Sequence, residues 1–167
     1  ELTRRIQQRL SMVLLATLSF VAFILCLDWA LPPNLSRLND LSLVIEDRNG
    51  RPIHVAPTVT GGYRLPVSIQ QVDRRYIDML VQYEDKRFYQ HPGVDPLALM
   101  RAVGQWITNG RVISGGSTLT MQTARLLETR PRTITAKLAE ILRAFQLEKR
   151  FPKNEILEMY MTLAPFG

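Results

Sequence analysis

The chain of 167 residues is long enough for one ordinary globular domain, with 46% hydrophobic and 22% charged residues and a formal net charge of +6. One cysteine, Cys26, leaves no internal disulfide framework, and with two histidines it supplies no His/Cys metal-ligand set. The positive charge is concentrated in residues 125–153, where eight Lys or Arg face three Glu, which points to an anionic partner such as lipid headgroups or a lipid-linked phosphate.

The first element is apolar. Residues 12–27, MVLLATLSFVAFILCL, carry no charge; extended to Leu31, with Asp28 as the one interruption, the run reaches the ~20 residues that a bilayer's hydrocarbon requires of a helix. Trp29 stands where an interfacial aromatic is expected. Arg4, Arg5 and Arg9 precede the run against Glu1 alone, so the positive-inside rule puts the N-terminus in the cytoplasm and the remainder outside. The run ends CLDWALPP, without a small-residue cleavage site. We therefore expect a cytoplasmic tail over 1–10 and an uncleaved, single-pass membrane anchor over 11–31. An external domain makes nucleic acid a poor partner.

Pro32-Pro33-Asn34 breaks the helix. In LSLVIEDRNGRPIHV the β-branched residues flank an Asn49-Gly50 turn signal, which predicts a hairpin. Gly61-Gly62 and YRLPV follow, so 32–66 reads as a β-containing linker. From residue 67 the pattern becomes helical, with Ile69, Val72, Ile77, Leu80 and Val81 near helical spacing. Asp95-Pro96 opens a further helix as N-cap and N1. It carries Leu97, Leu99, Met100, Val103 and Ile107 and stops at Asn109-Gly110. Ser117 is expected to cap STLTMQTARLLE, residues 133–150 form the next helix, and Pro152 opens PKNEILEMYMTL.

Three stretches could carry chemistry. Glu84-Asp85, before Pro92-Gly93, is an acid pair of a kind usually found on solvated helices. In 133–150, Ile134, Leu138, Ile141, Leu142 and Phe145 make one apolar stripe. Glu140 lies opposite it among Ala136, Ala144 and Leu147, which suits a cleft wall; the plainer reading is a Lys137–Glu140 surface pair. Gly115-Gly116 before Ser117 would let backbone approach an anion at a helix N-terminus, with Arg125 about two turns on.

Together these stretches resemble the peptidoglycan glycosyltransferase domain (glycosyltransferase family 51) of class A penicillin-binding proteins and monofunctional transglycosylases. The pattern E-D-x-x-F-x-x-H-x-G-x-D is met by Glu84, Asp85, Phe88, His91, Gly93 and Asp95. G-x-S-T-x-T-x-Q is met by Gly115, Ser117, Thr118, Thr120 and Gln122. K-x-x-E ending in L-E is met by Lys137, Glu140, Leu147 and Glu148, and K-x-x-I-L-x-x-Y…F-G by Lys153, Ile156, Leu157, Tyr160, Phe166 and Gly167. The chain departs from the pattern where Met121 replaces a usual Gln, Arg125 a Lys, Ala136 an Arg and Thr162 an Asn. It carries no Ser-x-x-Lys or Lys-Thr-Gly set of a transpeptidase.

The resemblance implies a mainly α, lysozyme-like glycosyltransferase domain over 67–167, incomplete at its C-terminus, with a membrane-embedded jaw, as part of a bifunctional protein whose transpeptidase domain lies outside this sequence. It implies polymerisation of lipid II into β-1,4 glycan, with Glu84 as base and Glu140 as second essential carboxylate. Substrate binding would fall to Asp85, Lys86, Phe88, His91, Ser117, Thr118, Gln122, Arg125, Arg132 and Lys137, with Asp85, Phe88 and His91 supporting Glu84. A divalent cation, Mg²⁺ or Mn²⁺, would be held mainly through the substrate pyrophosphate, with no metal site of the protein's own. Implied partners are lipid II, the growing lipid-linked glycan, the bacterial inner membrane, moenomycin-type inhibitors and other cell-wall synthesis proteins. The rival readings are a lytic transglycosylase or muramidase, which would need no anionic-lipid site, and a non-catalytic membrane scaffold, which would tolerate loss of either Glu.

Overall fold

The computed structural model describes residues 2–110, 116–131 and 133–165; among these, the side chains at 2–6, 8, 20, 23–25 and 106 lie outside the described set. The protein is mainly helical with one small antiparallel sheet. It forms two compact units that divide after Pro33.

The first unit is helix α1, Leu2–Ala30. The consecutive residues Met12, Val13, Leu14 and Leu15 cover more than a full helical turn and are all at least 60% exposed. Among the described residues no helix is long and apolar enough to cross a membrane, so they do not meet the expected span over 11–31. Four of its apolar residues, Phe20, Phe23, Ile24 and Leu25, have side chains outside the described set.

The second unit begins at Asn34. Strands β1 (Val44–Glu46) and β2 (Pro52–Val55) pair antiparallel with Val44 opposite Val55, and the register shifts between Ile45 and Glu46. Their turn closes because the Asp47 carboxylate accepts from the N–H groups of Asn49 and Arg51, while Gly50 takes φ +74°. This is the hairpin expected from Asn49-Gly50.

Helix α2 (Arg74–Glu84) starts where Asp73 accepts from the Arg75 N–H. That cap, with a short 3₁₀ turn over Ile69–Gln71, splits the single helix suggested by the pattern from residue 67. Ile77 is buried, and Ile69, Val72, Leu80 and Val81 pack on the same core. Helix α3 (Pro96–Asn109) starts at Asp95, whose Oδ1 accepts from the N–H groups of Leu97 and Ala98. It buries little: Ala102 is in the core, but Leu97, Met100, Val103 and Ile107 are exposed.

The centre of the unit is helix α4 (Leu119–Leu127), which packs against both α5 (Ile134–Arg150) and α6 (Lys153–Leu163). Covered from two sides, it buries six of its nine residues. Its buried threonines are satisfied, Thr123 locally by donating to the Leu119 carbonyl and Thr120 by donating to Glu148 of α5. The N-cap is Thr118, which accepts from the Met121 N–H, rather than the expected Ser117. Met121 is fully buried with Val94 and Ala144, so the position that departs from the family's Gln is here an apolar core position.

The faces of α5 depart from what a hydrophobic stripe suggests, although Ile141 of the stripe packs against Val94, Met121 and Ala144. Ile134, Leu138 and Phe145 of that stripe are exposed, while Ala136, Ala144 and Leu147 on the Glu140 side are buried. Small residues there let neighbouring elements approach closely. At Gly93 (φ +90°) an added Cβ would stand 2.8 Å from the Ala144 carbonyl oxygen, so both the left-handed backbone and the contact demand glycine. Gly116 serves a similar end: its Cβ would lie 3.2 Å from that of Ala102, so this glycine admits the close approach of α3. Gly115 lies outside the described residues.

Gly93→Ala combines backbone strain with a clash against main chain. It is expected to destabilise the protein by about 2–4 kcal/mol in denaturant unfolding, whereas Gly50→Ala, with open space around its Cβ, should cost only the strain of about 1–2 kcal/mol.

Candidate active site

Glu84 is the last residue of α2 and Asp85 its C-cap, so the two carboxylates leave the helix in different directions. Asp85 turns inward. Its side chain is 4% exposed, its Oδ2 accepts from the Leu119 N–H at 3.0 Å, and both oxygens face His91 Nε2 at 3.0 and 3.1 Å. An ionised carboxylate only accepts, so Nε2 carries the proton of that bond. Glu84 is half-buried and takes a hydrogen bond from Gln122 Nε2 on its Oε2 at 2.8 Å. Both acids border a cavity of about 600 Å³, with Tyr83, Lys86, Arg101 and Ser117, but Asp85 is buried with its oxygens committed to framework donors, while Glu84 is the more exposed of the two.

Ser117, freed from capping, accepts from Lys137 Nζ at 2.6 Å, and the same ammonium lies 2.9 Å from Glu140 Oε2. Lys137 and Glu140 line a second cavity of about 330 Å³ with Arg125 and Arg130. Glu140 therefore sits on a wall, as expected of that face of α5, in a basic setting with an 11% exposed side chain. Arg130 is paired with Glu128, and Arg125 and Lys137 against Glu140 still leave a surplus of positive charge suited to an anion. Arg132 lies outside the described residues.

A separate polar knot fastens these elements from behind. Lys153 Nζ is bonded to Glu148 at 2.8 Å and to the His91 carbonyl at 2.7 Å, and stands 4.4 Å from the Phe88 ring centroid. Thr120 donates to the same Glu148 oxygen at 2.6 Å. Residues of all four motifs thus meet in one half-buried cluster. Glu128 plays a like part at the far end of α4, accepting from the Asn34 and Arg130 donors, with Arg143 Nε at 3.0 Å.

Tyr160 of α6, a motif position in the sequence, is a buried core residue that feels the charge of the site. Burial raises its pKa, and the nearby charge of Glu84 adds to this while Arg125 opposes it.

The region 49–167 matches the family model described as Transglycosylase. The chain belongs to the transglycosylase family. It is 46% identical over 139 residues to penicillin-binding protein 1C of Escherichia coli, covering 83% of this chain and 18% of that protein. It is 43% identical over 99 residues to penicillin-binding protein 1B of Haemophilus influenzae (59% and 13%) and 40% over 105 residues to penicillin-binding protein 1A of Aquifex aeolicus (62% and 14%). The chain spans less than a fifth of the length of these three relatives.

In this transglycosylase the residues expected to bind substrate fall into two groups. Lys86, Ser117, Gln122, Arg125 and Lys137 border a cavity or bond to Glu84. Asp85, Phe88, His91 and Thr118 are buried, and the polar groups of Asp85 and Thr118 are committed to main-chain N–H groups, His91 and the Gly93 carbonyl. Asp85 and Thr118 also border the Glu84 cavity, but their hydrogen bonds tie the end of α2 and the start of α4 to the turn between them. Among the described residues no three His, Cys, Asp or Glu side chains gather as a metal cage.

Asp95 supplies a pH test of the framework. Burial pushes its pKa up, but the Ala98 N–H, the Arg87 guanidinium at 2.6 Å and the Leu97 N–H outweigh this and hold it below the ordinary carboxylate value. A lowered folded pKa gives stability that is present above the unfolded value, near pH 4, and lost as pH falls through the folded one. Asp95→Asn should therefore show a shallower loss of stability below about pH 4 than the wild type in acid unfolding titrations. Glu128, whose pKa is lowered by Arg130, Asn34 and Arg143 against burial, should supply part of the slope that remains.

Proposed function

We propose that this transglycosylase is a peptidoglycan glycosyltransferase that polymerises lipid II, within a longer penicillin-binding protein. The observation that carries the reading is a pair of cavities, one bordered by Glu84, which Gln122 orients, and one basic, with Ser117 on the border of the first bonded to Lys137 and through it to Glu140 on the wall of the second. The fold expected with this activity is the lysozyme-like one.

The acceptor's 4-hydroxyl, with a pKa far above neutrality, attacks the anomeric carbon of the growing lipid-linked chain. Glu84, oriented by Gln122, takes the hydroxyl proton as the new C–O bond forms. The bond from the anomeric carbon to the pyrophosphate breaks with its electron pair leaving on oxygen, so the centre inverts and a β-1,4 link results. The leaving group needs charge neutralisation more than protonation. Arg125, Arg130 and Lys137 supply it, and Glu140 fixes the Lys137 ammonium. The basic cavity has one carboxylate among its lining residues, so a divalent cation such as Mg²⁺ or Mn²⁺ would be held there mainly through the substrate pyrophosphate and would neutralise further charge. A glycan-cleaving enzyme has no use for the basic cavity, which favours polymerase over hydrolase.

The substrate is an anionic lipid, and three features suit a membrane. The uncharged run of α1 follows three arginines, which fits a single-pass anchor in the inner membrane with the catalytic unit on its outer side. Leu97 borders the Glu84 cavity, and α3 continues from it with Met100, Val103 and Ile107 exposed, an apolar face suited to lipid tails. Moenomycin-type inhibitors would compete for the same site, and further cell-wall proteins are expected as partners.

The test is incubation of the full-length protein with labelled lipid II. Glycan chains should form, be blocked by moenomycin, and fall by about 10²- to 10⁴-fold with Glu84→Gln at unchanged folding stability. Wild-type polymerisation by Glu84→Gln would overturn the assignment of the base, and cleavage of preformed glycan without polymerisation would overturn the reaction class.

A further inference from the structure

The Glu84 cavity does not end at Glu84. It shares Tyr83 and Lys86 with an open groove of about 820 Å³ along the outer face of α2, bordered by Tyr76, Met79 and Gln82. Tyr76, Met79 and Tyr83 recur at i, i+3 and i+7 and so lie on one face of the helix. Their exposures are 38, 65 and 88%. The adjoining side of α2 sends Ile77, Leu80 and Val81 toward the core; Tyr76 borders that side, while Met79 and Tyr83 stay mostly exposed. A contiguous exposed apolar strip rimmed by polar groups marks a ligand surface.

The chemistry of the strip selects the ligand. A pyranose ring has an apolar C–H face and edges of hydroxyl and amide groups. Flat tyrosine rings and a pliant methionine match the face, while Gln82, Asp78 and Lys86 offer both donors and acceptors to the edges. The strip is poor in net charge, since Asp78 and Lys86 oppose one another. The surplus of cations lies instead around Glu140, joined to the Glu84 cavity through the Ser117–Lys137 bond. The charged end of a lipid-linked sugar thus has its own place, and the α2 groove remains for neutral sugar rings that continue from the reacting one.

We propose that the outer face of α2 is a saccharide subsite, in which a β-1,4-linked amino-sugar chain lies along Tyr76, Met79 and Tyr83 with the ring next to the reacting sugar stacked on Tyr83. This rests on the reading of Glu84 as the base of glycan polymerisation. Tyr83 touches substrate here but takes no part in bond making, and its effect is on retention of the chain.

The experiment uses the full-length protein in detergent, a soluble chitooligosaccharide as binding probe and lipid II as substrate, with Tyr83→Ala, Tyr83→Phe and Glu84→Gln. Tyr83→Ala should weaken oligosaccharide binding by roughly five- to tenfold and shift the products to shorter glycans, at an unchanged unfolding midpoint. Tyr83→Phe keeps the ring and should restore both. Wild-type binding and glycan length in Tyr83→Ala would overturn the subsite, as would equal losses in Tyr83→Phe. Loss of binding in Tyr83→Ala together with full polymerisation by Glu84→Gln would leave the subsite standing and remove the catalytic reading. Abolished polymerisation in Glu84→Gln with unaltered binding in Tyr83→Ala would do the opposite.

Discussion

Asp85 takes the main-chain N–H of Leu119 and the imidazole of His91 on a carboxylate that is almost wholly out of water. A buried carboxylate without such donors would be severely penalised. The three contacts therefore make a joint that closes only when the end of α2, the 88–95 turn and the start of α4 are all in place. Glu84 is the neighbouring residue, so its position is inherited from that joint. Gln122, one turn into α4, then meets Glu84. The reactive group is half-buried and mobile in principle, yet it stands on a backbone fixed by its buried neighbour.

The same division repeats across the motifs. Thr118 caps α4 and so leaves Ser117 to the Lys137 ammonium. Glu148, Thr120 and Lys153 are knotted together behind the site, while Lys137 and Glu140 from the same stretch of helix face the basic cavity. A motif of this kind is thus an alternation of residues that build a wall and residues that use it. Charge follows the division as well: buried acids are paired, and the surplus of cations collects where a pyrophosphate would lie.

Much of the fold was legible in local signals. Asp95 before Pro96 and Asn49-Gly50 between β-branched residues each fix a boundary through a hydrogen bond or a left-handed turn that the side chain or its absence allows. The cap at Asp73 was missed because the apolar spacing runs past it without interruption. The faces of α5 could not be read from its stripe: periodicity identifies an apolar side, but which side is covered depends on where Ala136 and Ala144 let other elements approach. The site itself was legible only through the resemblance, since Glu84 and Gln122 lie 38 residues apart and Lys137 and Ser117 20 apart. Nothing local announces such pairs. Tyr160 was within a recognised motif, but its nearness to Glu84 appears only once α6 is folded back on α4.

The most direct test of the division between the two neighbouring acids is the unfolding free energy of Asp85→Asn measured beside that of Glu84→Gln. An amide at 85 replaces one acceptor by a donor that faces a buried N–H or imidazole N–H, so Asp85→Asn should lose about 1–3 kcal/mol. Glu84→Gln keeps an oxygen for Gln122 and should stay within about 0.5 kcal/mol of the wild type. Wild-type stability in Asp85→Asn, or a loss in Glu84→Gln as large as that in Asp85→Asn, would contradict the assignment of framework to one acid and chemistry to the other.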